Sequence, residues 1–134
     1  MDDETTEIYG AVGGDKPFYD LVDAFYAGVE ADPTLRPLYP DDMTRAKEHL
    51  ALFFIQRFGG HTAYGEQRGH PRLRMRHVPF RIGPAERDAW LRTMSAALDS
   101  VPAFAPYRAA LDRYFTDSAN FLVNTDTIPT VALS

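Results

Sequence analysis

The stretch Pro17-Phe18-Tyr19-Asp20-Leu21-Val22-Asp23-Ala24-Phe25-Tyr26-Ala27-Gly28-Val29-Glu30-Ala31 decides the fold class. Phe18, Leu21, Val22, Phe25, Tyr26 and Val29 recur at steps of three and four, so on a 3.6-residue period they share one stripe. Pro17 suits a first helical turn, where its missing N–H would have had no partner. Asp32-Pro33 then stops the run, because the residue before a proline leaves the helical region. The stretch predicts an amphipathic helix from about Pro17 to Ala31.

Three further segments carry the same period. Asp42 to Phe58 places Met43, Ala46, Leu50, Phe53, Phe54 and Phe58 on one face, widened by Leu52 and Ile55. Gly59-Gly60 ends it, since glycine tolerates the left-handed turn that closes a helix. Pro84 to Ser100 aligns Trp90, Met94, Ala97 and Leu98 with Val101 beyond, and Glu86 and Asp88 complement the positive end of its dipole. Phe104 to Val123 aligns Tyr107, Leu111, Tyr114, Phe115, Ser118 and Leu122. No alternating run is long enough for a strand. The fold class is all-α.

Composition bounds the function. The 134 residues are 45% apolar and 25% charged, an ordinary globular balance that excludes a disordered or collagen-like chain. One domain over 1–134 is expected, with its core at about 8–124 and frayed ends at 1–7 and 125–134. No apolar run approaches the roughly 18 residues of a membrane span. Cysteine is absent, so disulfides, thiolate metal sites and thiol catalysis drop out together. The start, Met1-Asp2-Asp3-Glu4, is acidic where a signal peptide is basic, and a cytoplasmic location is the expectation. Net charge is −5. It is unevenly spread: Met1 to Glu48 holds twelve acidic against four basic residues, and Arg57 to Arg92 holds eight arginines against three acids.

Gly59 to Gly83 is a long connection for so small a domain, and structureless loops of that length usually carry function. It holds His61, His70, His77 and five arginines, and only Pro71 to Val78 could form a short helix before Pro79. Within it, Leu73 and His77 lie one turn apart, so the imidazole projects beside an apolar residue. That setting suits an axial iron ligand. From these residues alone, a histidine that packs at a helix end is the simpler reading. Zinc is a weaker reading, because His61, His70 and His77 match no compact ligand spacing. Neither a Gly-x-Ser-x-Gly elbow nor a phosphate loop is present. An arginine-based anion or nucleic-acid module on Arg68, Arg72, Arg74, Arg76 and Arg81 runs against the net charge of −5, so no nucleic-acid partner is expected. Tyr26, Tyr39 and Trp90 are polar-tipped aromatics on separate apolar elements. Buried, each needs a hydrogen-bond partner, and three such tips could converge on one pocket.

Longer runs carry a family resemblance. They are Ala11-Val12-Gly13-Gly14, Phe25-Tyr26, Leu35-Arg36-Pro37-Leu38-Tyr39-Pro40, and Gln56-x-Phe58-Gly59-Gly60. The most specific is Tyr64-x-Glu66-Gln67-Arg68-Gly69-His70-Pro71-Arg72-Leu73-Arg74-Met75-Arg76-His77-x-Pro79-Phe80, followed by Glu86-Arg87-Asp88-Ala89-Trp90-Leu91. Over about 8–124 the chain resembles the truncated haemoglobins of the second group. The resemblance implies a two-over-two helical sandwich around haem b, with His77 as proximal iron ligand. It puts Tyr26, Tyr39 and Trp90 at the ligand-stabilising positions of the opposite face. Ala46 falls where longer globins often carry a distal histidine, and Leu50 lies one turn along. Arg76 matches a residue that contacts a haem propionate. Phe53, Phe54, Tyr64, Leu73, Phe80 and Met94 match cofactor-lining positions. Two positions depart from the pattern: His49 replaces an arginine that reaches a propionate, and Phe58 replaces a tryptophan.

The function so implied is binding of O2, CO and NO at a ferrous haem iron, with slow O2 release because several donors hold the ligand. Trp90 is expected to be the dominant donor, with Tyr26 and Tyr39 bonded to each other and to ligand. The alternative is a haem enzyme, oxidising nitric oxide or acting as a peroxidase with a separate reductase. A monomer or homodimer is expected.

Overall fold

The period of the opening stretch becomes a helix that starts two residues early. The computed structural model describes residues 4–68 and 82–123. Its helices are Ile8–Ala11 (α1), Asp15–Ala31 (α2), Thr44–Arg57 (α3), Ala63–Arg68 (α4), Pro84–Asp99 (α5) and Arg108–Leu122 (α6). Short 3-10 turns occupy Glu4–Glu7, Arg36–Leu38 and Pro102–Tyr107. Among the described residues every regular element is helical.

The six stripe residues of α2 are the ones it buries. That face packs on both α3 and α5, and α5 packs in turn on α6. Two helices thus lie over two, as the resemblance implies. Gly28 permits the closest part of this crossing: a Cβ there would meet Thr93 Cγ2 at 2.5 Å. Phe18, Phe25, Phe58 and Phe104 are fully buried. Each contributes about 1.5–3 kcal/mol relative to exposure. Phe18 stacks on Phe58 at 5.9 Å and meets Phe104 edge-on at 5.2 Å, which locks α2, the end of α3 and the 102–107 turn together.

The structure corrects three expectations. Residues 4–7 are no frayed end: Thr5 is buried and accepts a 2.8 Å hydrogen bond from Arg57 Nη1. The Tyr9 N–H donates to the Phe58 carbonyl at 2.9 Å, which lays α1 across the end of α3. Gly59 makes this approach possible, with φ +99° and Thr6 O 1.8 Å from where a Cβ would stand. The long connection also contains an additional helix, α4. Its six residues are too few for periodicity to reveal. Tertiary contact supports them, because Gln56 Oε1 on α3 accepts the otherwise orphaned N–H of Gly65 at 2.9 Å. The fourth predicted helix begins instead as a 3-10 turn containing Pro106, and α6 proper starts at Arg108. The Pro106 ring and missing N–H block an α-helical hydrogen bond there. Arg108 then pins this corner, bonding Asp99, Asp112 at 2.9 Å and Ser95 Oγ at 2.6 Å.

Candidate functional site

A cavity of about 300 Å³ opens between α2, the 35–40 loop, α3, α5 and α6. Its walls are mostly aliphatic and aromatic, as ligand pockets usually are. A connected set of rings runs around it. Tyr39 meets Tyr26 edge-on at 5.5 Å, Tyr26 meets Phe25 at 5.4 Å, and Phe25 meets Trp90 at 5.4 Å. Trp90 continues to Phe115 at 5.7 Å, Phe115 to Phe54 at 5.4 Å, and Phe54 to Phe53 at 5.9 Å. Each pair lies within the range where offset and edge-on rings attract.

Three elements deliver the polar tips. Tyr26 comes from the buried stripe of α2, Trp90 from the second turn of α5, and Tyr39 from the residue that ends the 36–38 turn. The start of α5 is fixed by Pro84 in its first turn and by Glu86 Oε1, which accepts the Gly83 N–H at 2.8 Å. Tyr39 and Trp90 line the same cavity, with the Trp90 indole N–H within reach of the Tyr39 hydroxyl as a donor. The two tyrosines, expected to bond to each other, bring their rings together edge-on. Burial pushes the Tyr39 phenol up to about 12, with the Trp90 bond opposing it. Burial, then the neighbouring Tyr39, raises the Tyr26 phenol. Both phenols thus stay protonated and able to donate far above neutral pH.

Of the residues named from sequence, the cavity brings together Tyr26, Tyr39, Leu50, Phe53, Phe54 and Trp90. Four others sit elsewhere. Ala46 and His49 are half-buried on α3 and do not border it. Tyr64 is buried against Phe53 at 5.3 Å, behind the wall, and Met94 lies in the core at 1% exposure. His77, Arg76, Leu73 and Phe80 lie outside the described residues. Sequence reasoning missed one whole wall: Tyr114, Phe115, Ser118, Ala119 and Leu122 of α6. Most of these were already on its apolar stripe, and nothing in periodicity separates a stripe facing a core from one facing a cavity. It also missed Leu35, Leu38, Pro40 and Ile82, and the charged pair Glu86 and Arg87 at the rim. The Arg87 guanidinium donates to Asp88 at 3.1 Å and to Asn120 Oδ1 at 3.3 Å, which bridges α5 to α6.

Mostly apolar, ring-lined walls that also carry hydrogen-bond donors suit a largely apolar ligand with a polar part. Comparison with known proteins points the same way. Residues 7–120 match the family model of the bacterial-like globins. A group 2 truncated haemoglobin of Bacillus subtilis, YjbI, is 38% identical over 116 residues, 87% of each chain. The crystal structure of a haemoglobin from Chloroflexus aurantiacus superposes with a TM-score of 0.86 at 52% identity, covering 89% of this chain and 98% of that one. The group II truncated haemoglobin of Bacillus anthracis also gives 0.86, at 37% identity over 90% and 98% of the two chains.

Proposed function

The chain belongs to the bacterial-like globins as a group II truncated haemoglobin, and from that premise we propose that it holds haem b in the ring-lined cavity and retains O2 there. One observation carries this reading: Tyr26, Tyr39 and Trp90 arrive from three separate elements in the lining of one mostly apolar cavity. Haem, when bound, would supply a ferrous iron able to take up a diatomic gas. In this reading His77 would hold the iron and Arg76 would contact a propionate.

The chain's own residues set how long the gas stays. Toward a bound gas that carries partial negative charge, a facing donor would make a charge-assisted bond of about 1.5–3 kcal/mol. Trp90 is the leading donor, because its indole N–H can only donate and its ring is held between Phe25 and Phe115. Tyr39 and Tyr26 flank it with protonated hydroxyls. Leu50, Phe53 and Phe54 keep water from competing for these donors. CO and NO would occupy the same place, and CO, the less polar ligand, would be held less by these donors. Replacing Trp90 with Phe and following O2 release tests the reading.

The same three donors favour a second reading. A ligand held by several hydrogen bonds is poorly suited to delivery and well suited to oxidation chemistry, either conversion of nitric oxide or peroxidase-type turnover, with electrons from a separate reductase. Reductase-supported nitric oxide consumption distinguishes it from reversible binding.

A further inference from the structure

Tyr39 projects its hydroxyl from a loop, whereas Tyr26 and Trp90 project theirs from helices. Functional geometry tolerates errors of only about 0.5 Å, so something must hold that loop. The first half of it is held by Asp32. Its Oδ1 accepts the N–H groups of Thr34 at 2.8 Å and Leu35 at 3.1 Å, and its carbonyl accepts the Arg36 N–H at 2.9 Å. The turn closes with the Tyr39 N–H donating to the Arg36 carbonyl at 3.2 Å. After that the backbone is extended, at φ −117° and ψ 150° for Tyr39, and neither helix nor sheet serves the next carbonyls.

One side chain serves them all. Arg36 Nη1 donates to the carbonyls of Tyr39 and Pro40, each at 3.1 Å, and Nη2 donates to the Asp41 carbonyl at 3.2 Å. Its Nε donates to Glu30 Oε1 at 3.3 Å, which ties the fork back to the last turn of α2, the helix that carries Tyr26. The Arg36 side chain is only 25% exposed, while that of Glu30 is 63% exposed. An ion pair so open contributes little by itself. The three carbonyl bonds differ in kind, because only a planar fork with several fixed donors can span successive carbonyls, and a lysine ammonium cannot reproduce it.

We propose that Arg36 is a positioning residue that sets the Tyr39 hydroxyl against the Trp90 indole. Its effect on ligand release follows through Tyr39 and rests on the reading of Tyr39 as a ligand-facing donor. Trp90 is the only tryptophan in the chain, so nitrogen-15 labelling of tryptophan yields a single indole N–H resonance that reports this contact. The experiment records that resonance and the O2 release rate in the haem-loaded ferrous protein, the resonance under CO. It compares the parent with Arg36→Met, Arg36→Lys, Tyr39→Phe and the Arg36→Met/Tyr39→Phe double variant.

In Arg36→Met the indole resonance is expected to move most of the way to its Tyr39→Phe position, with O2 release about three-fold faster or more. Arg36→Lys should restore little, and Arg36→Met should add nothing once Tyr39 is Phe. An unmoved indole in both Arg36 variants overturns the proposal. So does an equal increase in release with and without the Tyr39 hydroxyl, since Arg36 would then act on the whole domain. If the indole moves while release stays unchanged in every variant, the placement by Arg36 stands and the reading of Tyr39 as a ligand donor falls.

Discussion

Replacing Trp90 with Phe removes the indole N–H and part of the bicyclic ring while keeping an aromatic side chain at the position. The indole lies between Phe25 at 5.4 Å and Phe115 at 5.7 Å. The lost bond to a partly charged ligand is worth about 1.5–3 kcal/mol, and each 1.4 kcal/mol is a factor of ten, so release should accelerate about ten- to hundred-fold. The lower end is the expectation. The Tyr39 hydroxyl lies within reach of the indole N–H, so a ligand competes with that acceptor rather than meeting a free donor. About ten-fold is the working value. Stopped-flow displacement of O2 by CO measures it, and CO release, which depends less on these donors, serves as the internal control. A change below about three-fold would refute the assignment of Trp90 as leading donor. An equal acceleration of CO release would point to a general loosening of the cavity.

Other expectations follow from the fold. Gly28→Ala should destabilise the chain although alanine is the better helix former, because its Cβ would press on Thr93 Cγ2 at 2.5 Å; in a Thr93→Ser background, which removes that methyl, the same change should stabilise by about 0.5–1 kcal/mol in a urea titration. Gly59→Ala meets both a φ of +99° and the Thr6 carbonyl at 1.8 Å, and should lower stability by at least about 2 kcal/mol, with a shifted urea midpoint as readout. Burial holds the Tyr39 phenol up to about 12 against an ordinary 10.0. A raised folded value means that its contribution is fully present below pH 10 and fades as pH climbs to about 12, so Tyr39→Phe should flatten the alkaline loss of stability in that window.

The long helices were legible because burial imposes a period on the residues that face inward. All six stripe residues of α2 are buried as the spacing requires. Elements stabilised from outside left no such trace. Residues 4–11 are held by Arg57 on Thr5, by the Phe58 carbonyl and by the space Gly59 leaves, all long-range contacts. Helix α4 depends on Gln56 in the same way. At the cavity, the residue types Tyr26, Tyr39 and Trp90 were visible as polar tips on apolar stripes, but their convergence depends on how three elements cross. The clamp of Arg36 was invisible for a related reason: three successive carbonyls are backbone groups, and no side-chain pattern announces that they need a donor.

The most direct test of the central claim is the visible spectrum of the purified chain titrated with haemin, oxidised, then reduced, then exposed to air and to CO. The account predicts one haem per chain, a five-coordinate ferrous spectrum and a stable oxygenated form, with the spectrum lost in His77→Gly and partly restored by free imidazole. Failure to take up stoichiometric haem, or a His77→Gly variant spectrally identical to the parent, would contradict it.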